Sequence, residues 1–335
     1  MYAREWDGKL RGIGSFPTGG RGEGGLNDPL ESQYSVVLTA NHKILLDVNA
    51  GTSDISVCRV RPEGLEFVSI TPSGGGNPVS LAVHGNLVYV LNAGSTVHTA
   101  GFRLEPSGQL APVANSQKPL SDLDVGPSTA VFSLDGSKLV ISERDAKNVD
   151  VFTVNPDGSL SNPVFNPVNG VFPFGMSFTP SGKLLVTFAN PPSVDYSFTS
   201  SYTVNADNTL TVVTDQANSG GGRNCWIATN GQYAWVSNTT TSTIGSFRLA
   251  NNGALTPMGI AATVPATQPI IFPPVPPTSF PIDLALTPDG KYLYDFFSGN
   301  GQLVGFRVNS DGSLTQVGSV FPEAPQTGAN GLAAY

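Results

Sequence analysis

The sequence predicts an all-β fold: a seven-bladed β-propeller of four-stranded antiparallel blades, in one domain over residues 1–335. Three observations predict it. Short β-branched and apolar runs are separated by Gly, Asn, Asp and Pro, the pattern of strands joined by tight turns. A turn followed by leucine recurs at Leu10, Leu65, Leu110, Leu160, Leu210, Leu255 and Leu314, at intervals of 45 to 59 residues. That period holds four strands, and seven such sheets repeated radially make a propeller with a central channel. Finally, no stretch keeps a helical period beyond a turn or two.

The clearest copy runs from Asn77 to Leu110. Its strands are Val79 to Val83, Leu87 to Leu91, Val97 to Leu104 and a fourth from Leu110, turned at Gly85-Asn86, Asn92-Ala93-Gly94 and Pro106-Ser107-Gly108. Before it lies a copy at Ser35 to Thr39, Ile44 to Val48 and Ile55 to Val60. After it come Thr129 to Ser133, Leu139 to Ser142 and Val149 to Val154, then Phe174 to Thr179, Leu184 to Phe188 and Tyr196 to Val204. The last two copies are Cys225 to Thr229, Tyr233 to Ser237 and Ile244 to Leu249, then Ile282 to Thr287, Tyr292 to Phe296 and Leu303 to Val308. Tyr2 to Trp6 reads as a third strand and residues 330–335 as a first. The termini are therefore expected to pair in one closing blade, for which no second strand can be assigned.

Charged residues are 13% of the chain, with 38 Gly and 27 Pro, which suits many turns. A net charge of −8 without Lys/Arg clusters argues against nucleic acid and against anionic membrane surfaces. The expected partner is a small molecule, with no cofactor and no metal. Cys58 and Cys225 fall in blades too far apart to bond and read as buried, reduced thiols. No apolar run reaches the length of a membrane span and the start is not a signal peptide, so the chain reads as cytoplasmic, or secreted if a leader preceded it.

Links from first to second strand and from third to fourth are short turns of nearly constant type. The other links vary: Pro17 to Tyr34, Ser73 to Asn77, Asn115 to Gly126, Asn166 to Pro173, Pro191 to Asp195, Asn218 to Asn224 and Met258 to Phe280. Variable loops on a rigid scaffold carry function, so the site is expected on their face, over the channel mouth. The proline-rich, apolar loop from Met258 to Phe280 reads as a stiff wall or lid, or as a brace on the rim.

The stretches Gly19 to Gly25, Ser73 to Gly94 (SGGGNPVSLAVHGNLVYVLNAG), Gly126 to Arg144 (GPSTAVFSLDGSKLVISER) and Gly331-Leu332-Ala333-Ala334 resemble the lactonase family of seven-bladed propellers. That family includes the bacterial 6-phosphogluconolactonase-like proteins and the fungal 3-carboxymuconate lactonising enzymes. The resemblance implies an enzyme that opens or closes a ring in a small oxygenated molecule. A phosphorylated lactone would need several cations, and the expected site face is poor in them.

Among three histidines, His42 and His84 sit at first-to-second turns, and only His98 can reach the channel mouth as an acid or base. Glu143 is the alternative proton carrier. Arg21 and Arg223, beside glycines, read as holders of a carboxylate or carbonyl, whereas Arg144 either joins them or bridges to a neighbouring acid. Asn49, Asn92, Asn190 and Asn238 end second strands and form a partial ring that could donate to a carbonyl, bind Ca²⁺ as in other lactonase propellers, or simply cap strands. Phe172, Phe174, Trp226, Phe272, Phe280 and Phe297 lie toward the site as apolar lining or core. No G-x-S-x-G, H-E-x-x-H or P-loop is present. Three readings follow: a cyclase or cycloisomerase using acid–base groups, a pericyclic cyclase acting by shape and hydrogen bonding, and a propeller that only binds a ligand or protein.

Overall fold

A computed structural model describes residues 1–25, 28–94, 98–189, 197–267, 277–320 and 328–335, and within them every regular element is a β-strand. The chain opens with a hairpin, β1 (Tyr2–Arg4) and β2 (Leu10–Gly12). Blade 1 is β3 (Val36–Leu38), β4 (Ile44–Asn49), β5 (Asp54–Arg61) and β6 (Gly64–Pro72). Blade 2 is β7 (Pro78–His84), β8 (Leu87–Asn92), β9 (His98–Leu104) and β10 (Leu110–Pro112). Blade 3 is β11 (Pro127–Phe132), β12 (Lys138–Glu143), β13 (Asn148–Thr153) and β14 (Val164–Pro167). Blade 4 is β15 (Pro173–Phe178), β16 (Leu184–Phe188), β17 (Phe198–Val204) and β18 (Leu210–Ala217). Blade 5 is β19 (Asn224–Thr229), β20 (Tyr233–Asn238), β21 (Thr243–Leu249) and β22 (Leu255–Thr263). Blade 6 is β23 (Pro281–Leu286), β24 (Tyr292–Phe297), β25 (Gln302–Val308) and β26 (Leu314–Val320). Each blade is an antiparallel meander, as the alternation of apolar runs and turns requires.

The seventh blade departs from expectation. Among the described residues six four-stranded blades are present, and the seventh position holds the β1–β2 hairpin and residues 328–335, which form no strand. Among the described residues the expected pairing of the two termini is not seen, because β1 sits in a third-strand position and the tail in a first-strand position. Two strand spacings, about 10 Å, then separate them.

The turn-plus-leucine repeat has a structural explanation. Five of the third-to-fourth turns are clasped by the preceding blade, whose side chains reach their carbonyls. Arg59 donates to Ser107 O at 2.8 Å, Arg103 to Asp157 O at 2.8 Å and Lys138 to Ala206 O at 3.1 Å. Trp235 Nε1 donates to Gly312 O at 3.0 Å and Tyr294 Oη to Gly8 O at 2.8 Å. Turns that lack side chains at the contact let the neighbour come this close, as where Gly8 lies against the Tyr292 ring.

A second repeated device sits where five of the six inner strands begin. Asn77, Gly126, Phe172, Arg223 and Phe280 all have φ between 51° and 57° and immediately precede β7, β11, β15, β19 and β23. Their carbonyls accept from Ala93, Arg144, Ala189, Thr239 and Ser298, the residues just past the second strands. A bulge follows in every one of these inner strands.

The propeller axis is crossed by the chain. Ser32, Gln33 and Tyr34, all drawn from the loop before β3, bond to the inner strands of four blades. Ser32 Oγ donates to Val79 O at 2.7 Å and Gln33 N to Ser128 O at 3.1 Å. Gln33 Nε2 donates to Ile227 O at 2.9 Å and Tyr34 Oη to Met176 O at 3.1 Å. The expected open central channel is thus stoppered by the chain itself. Cys58 and Cys225 are free and buried, as expected, and burial pushes their thiols up to about 11 and about 12.

Candidate functional site

On the face of the variable loops, the stopper emerges between acidic and basic groups from several blades. Asp28 precedes it, and its Oδ1 accepts from Glu31 N at 3.1 Å and from Asn330 Nδ2 at 3.0 Å. Burial, with the charge of Glu31 beside it, pushes the Asp28 carboxyl up to about 7 against the pull of Arg223. Asp28 still keeps part of its surface open. Glu31 pairs with Arg144 at 2.5 Å, and Arg144 also approaches Asp145 at 3.5 Å. Arg223 has no carboxylate within ion-pair distance among the described residues, and its buried Nε has no hydrogen-bond partner. Asp283, with φ 55° at the bulge of β23, accepts from Gly331 N, and burial holds its carboxyl well above the usual range.

This arrangement joins an acid that titrates near neutrality to a guanidinium with unused donor capacity. Such a pair can move a proton and steady a developing oxyanion.

The residues singled out from sequence are distributed unevenly over this face. Arg144 and Arg223 belong to the cluster, Arg144 through the acid bridge rather than as an open cation. Arg21 is exposed above the turn of blade 1, where its backbone exchanges hydrogen bonds with Thr52 Oγ1 and Gly51 N. Glu143 is fully buried beneath Ser121, whose N and Oγ it accepts, beside Asp150, whose carboxyl burial and Glu143 push up to about 10. His98 opens β9 opposite Asn92.

Asn49, Asn92 and Asn238 do occupy one equivalent position, shared by Glu143, Phe188 and Phe297, and all six are buried. Asn49 Nδ2 donates to Asp54 and Ser56, Asn92 Nδ2 to Ser73 O, and Asn238 Nδ2 to Thr243. The amides of Asn49 and Asn238 thus tie second strands to third strands of their own blades, and that of Asn92 reaches the link from blade 1, all of it strand-end capping. Trp226 and Phe297 are core, with Trp226 edge-on to Phe174 at 5.1 Å and donating to Ser32 O at 2.9 Å. Phe280 is 4% exposed, and Phe172 packs at the margin of the same cluster. Asn190, Phe272 and most of the proline-rich loop's apolar tip lie outside the described residues.

Asp28, Glu31, Asp283 and Asn330 went unnoticed in the sequence. The only signal was the length of the loop from Pro17 to Tyr34, because Asp28 beside Pro29 looks like an ordinary turn.

Residues 196–325 match the family model described as "Lactonase, 7-bladed beta-propeller". No curated protein matches the chain. Among solved structures, a protein of unknown function from Desulfotomaculum acetoxidans superposes with a TM-score of 0.68 at 16% identity, covering 89% of this chain and 87% of that one. The periplasmic gluconolactonase of Pseudomonas aeruginosa gives 0.65 at 21%, covering 84% and 83%. Virginiamycin B lyase from Staphylococcus aureus gives 0.57 at 13%, covering 90% and 88%. The likeness to lactonase-family propellers that the sequence motifs carry therefore holds, through the family model over residues 196–325 and through the fold over most of the chain.

Proposed function

We propose that the protein is a lactonase-like enzyme that opens or closes a ring in a small oxygenated molecule on the variable-loop face. The observation that carries this reading is the partly open Asp28 carboxyl held by Glu31 N and Asn330 Nδ2 on this face, raised to about 7 by burial and Glu31 and acted on by the Arg223 charge. In the opening direction, ionised Asp28 takes a proton from water as its oxygen bonds to the lactone carbonyl carbon. Arg223 holds the resulting oxyanion. The ring C–O bond then breaks, and Asp28 returns the proton to the departing alkoxide. Closure is the same sequence reversed, with the substrate hydroxyl as nucleophile and water leaving. An isomerising closure, in which a carboxylate adds across a double bond, would need Asp28 to supply one proton instead.

Pericyclic closure by shape alone suits a pocket poor in titratable groups. The cluster of Asp28, Glu31, Asp283, Arg144 and Arg223 favours acid–base work over it. The test is incubation with a panel of five- and six-membered lactones and their open hydroxy acids, read by mass spectrometry. Gain or loss of one water supports the reading, and unchanged mass with altered retention supports the isomerising form. Binding without conversion of any compound would make the protein a ligand-binding propeller and reject an enzymatic role.

A further inference from the structure

The Asp28 carboxyl is gripped by a segment 302 residues away in sequence. Asn330 Nδ2 donates to Asp28 Oδ1 at 3.0 Å, and the next residue, Gly331, donates its backbone N to Asp283 Oδ2. Residues 328–335 form no strand, so no sheet ladder fixes Asn330 and the Asp283 contact takes that part. The segment is pressed against the start of β3. Gly331 has φ 95°, and a Cβ there would lie 2.4 Å from Val36 Cγ2 and 2.6 Å from Ser35 Oγ. Asp283 is itself held, at the bulge of β23 with φ 55° and 4% exposed. Burial, joined by the charges of Asp28 and Asp295, holds its carboxyl well above the usual range against the Gly331 bond. A carboxyl kept neutral anchors the segment without setting a second negative charge beside Asp28. Asn330 turns its donor end to Asp28, since the reverse orientation would set Oδ1 against the carboxylate. Its Oδ1 is left buried without a partner, so the amide is committed to Asp28 at a cost in stability that alanine would avoid.

We propose that Asn330 is a positioning residue for Asp28, and that Asp283 anchors it there through Gly331. This inference rests on Asp28 as the proton carrier of the site. Oδ1 of Asp28 already accepts from Glu31 N and Asn330 Nδ2, so the proton exchanges at Oδ2. The Asn330 bond also favours the charged form. With the Arg223 charge it opposes burial and Glu31, which push the carboxyl up. The charged and titratable groups around Asp28 are Glu31 in its own loop, Arg223 and the Cys225 thiol at the head of blade 5, and Asp283 of blade 6. Arg144 acts on it through Glu31.

The test reads Asp28 itself and needs no substrate. In protein labelled with carbon-13 at the aspartate carboxyls, the resonance that disappears in Asp28→Asn is followed through a pH titration. Asn330→Ala should make Asp28 hold its proton about threefold or more tightly, because a donor to the charged form is lost. Asp283→Gly removes the anchor at a φ of 55° that suits glycine, and should move the titration in the same direction. The double variant should move it no further than Asn330→Ala alone, since both act through one bond. Asn330 is half-buried, so its alanine variant is expected to fold and decides the matter if Asp283→Gly does not. An unmoved titration in Asn330→Ala, with or without lost stability, would make the residue a structural contact and overturn the proposal. Additive shifts in the double variant would overturn the anchor. Conversion of no lactone rejects the enzymatic reading, whereas an unmoved Asp28 resonance rejects this one even in an active enzyme.

Discussion

Asp28 concentrates the proposed chemistry in one carboxyl. Asp28→Asn preserves its size and its hydrogen bonds as acceptor while removing proton exchange, so kcat should fall about 10²–10⁴-fold with little change in KM. In the unaltered protein the general base must be ionised, so kcat/KM should climb as pH rises through about 7. A profile flat from pH 5 to 9 would reject Asp28 as the proton carrier. Raised acids also shape stability, in the opposite sense to ion-paired ones. Burial pushes Asp47 up to about 7 and Asp295 to about 8, so the folded state retains protons that the unfolded chain releases near its ordinary value of about 3.9. Their contribution is complete below that value and is lost as pH rises through 7 to 8. Urea midpoints should therefore be higher at pH 5 than at pH 8, and Asp47→Asn should narrow the difference. Asp28 was illegible in the sequence because its character comes from burial that only the folded chain creates, with Glu31 raising it and Asn330, 302 residues away, and Arg223 opposing. Of the two arginines beside glycines, Arg223 falls in the cluster and Arg21 stays exposed above blade 1, since glycine frees the backbone but does not choose its neighbour.

Strands and turns were the most legible level. Apolar runs placed nearly every strand within one or two residues, because each is bounded by Gly, Pro or Asn whose backbone preferences do not depend on distant contacts. The left-handed residue before five of the inner strands escaped notice, since Asn77, Phe172, Arg223 and Phe280 share a conformation but no chemistry. At the second-strand ends the sequence leaves capping and ligand binding side by side, because an asparagine that caps and one that binds a ligand look alike until the covering loop is placed. That loop is close. At Gly221 an added Cβ would lie 2.0 Å from Asn238 Nδ2, and at Gly20 it would lie 2.3 Å from Asn49 Cγ. Gly221→Ala should thus cost about 1–3 kcal/mol in chemical denaturation, by forcing a buried amide off its partner. A cost below about 0.5 kcal/mol would mean that the loop can lift away freely.

At the scale of the molecule, the fold is a ring of blades, five of them clasping the next, and a segment that ties the ring's centre. Gln33 is the clearest tie, since its side-chain amide donates to Ile227 O and its backbone N to Ser128 O, in blades 5 and 3. Gln33→Ala should lower stability by about 1–3 kcal/mol by leaving the Ile227 carbonyl buried and unpaired. If the loss instead matches that of an exposed-loop substitution such as Gly22→Ala, the segment is not a tie. The seven-fold repeat made the ring readable, but nothing in a repeat announces a crossing segment, because crossing the axis is done once and by a loop that matches no other. The crossed axis also governs traffic. A propeller open from end to end could admit a molecule at one face and discharge it at the other. With Ser32, Gln33 and Tyr34 across the bore, whatever enters above Asp28 must leave by the same doorway, so arrival of the next molecule waits on departure of the last.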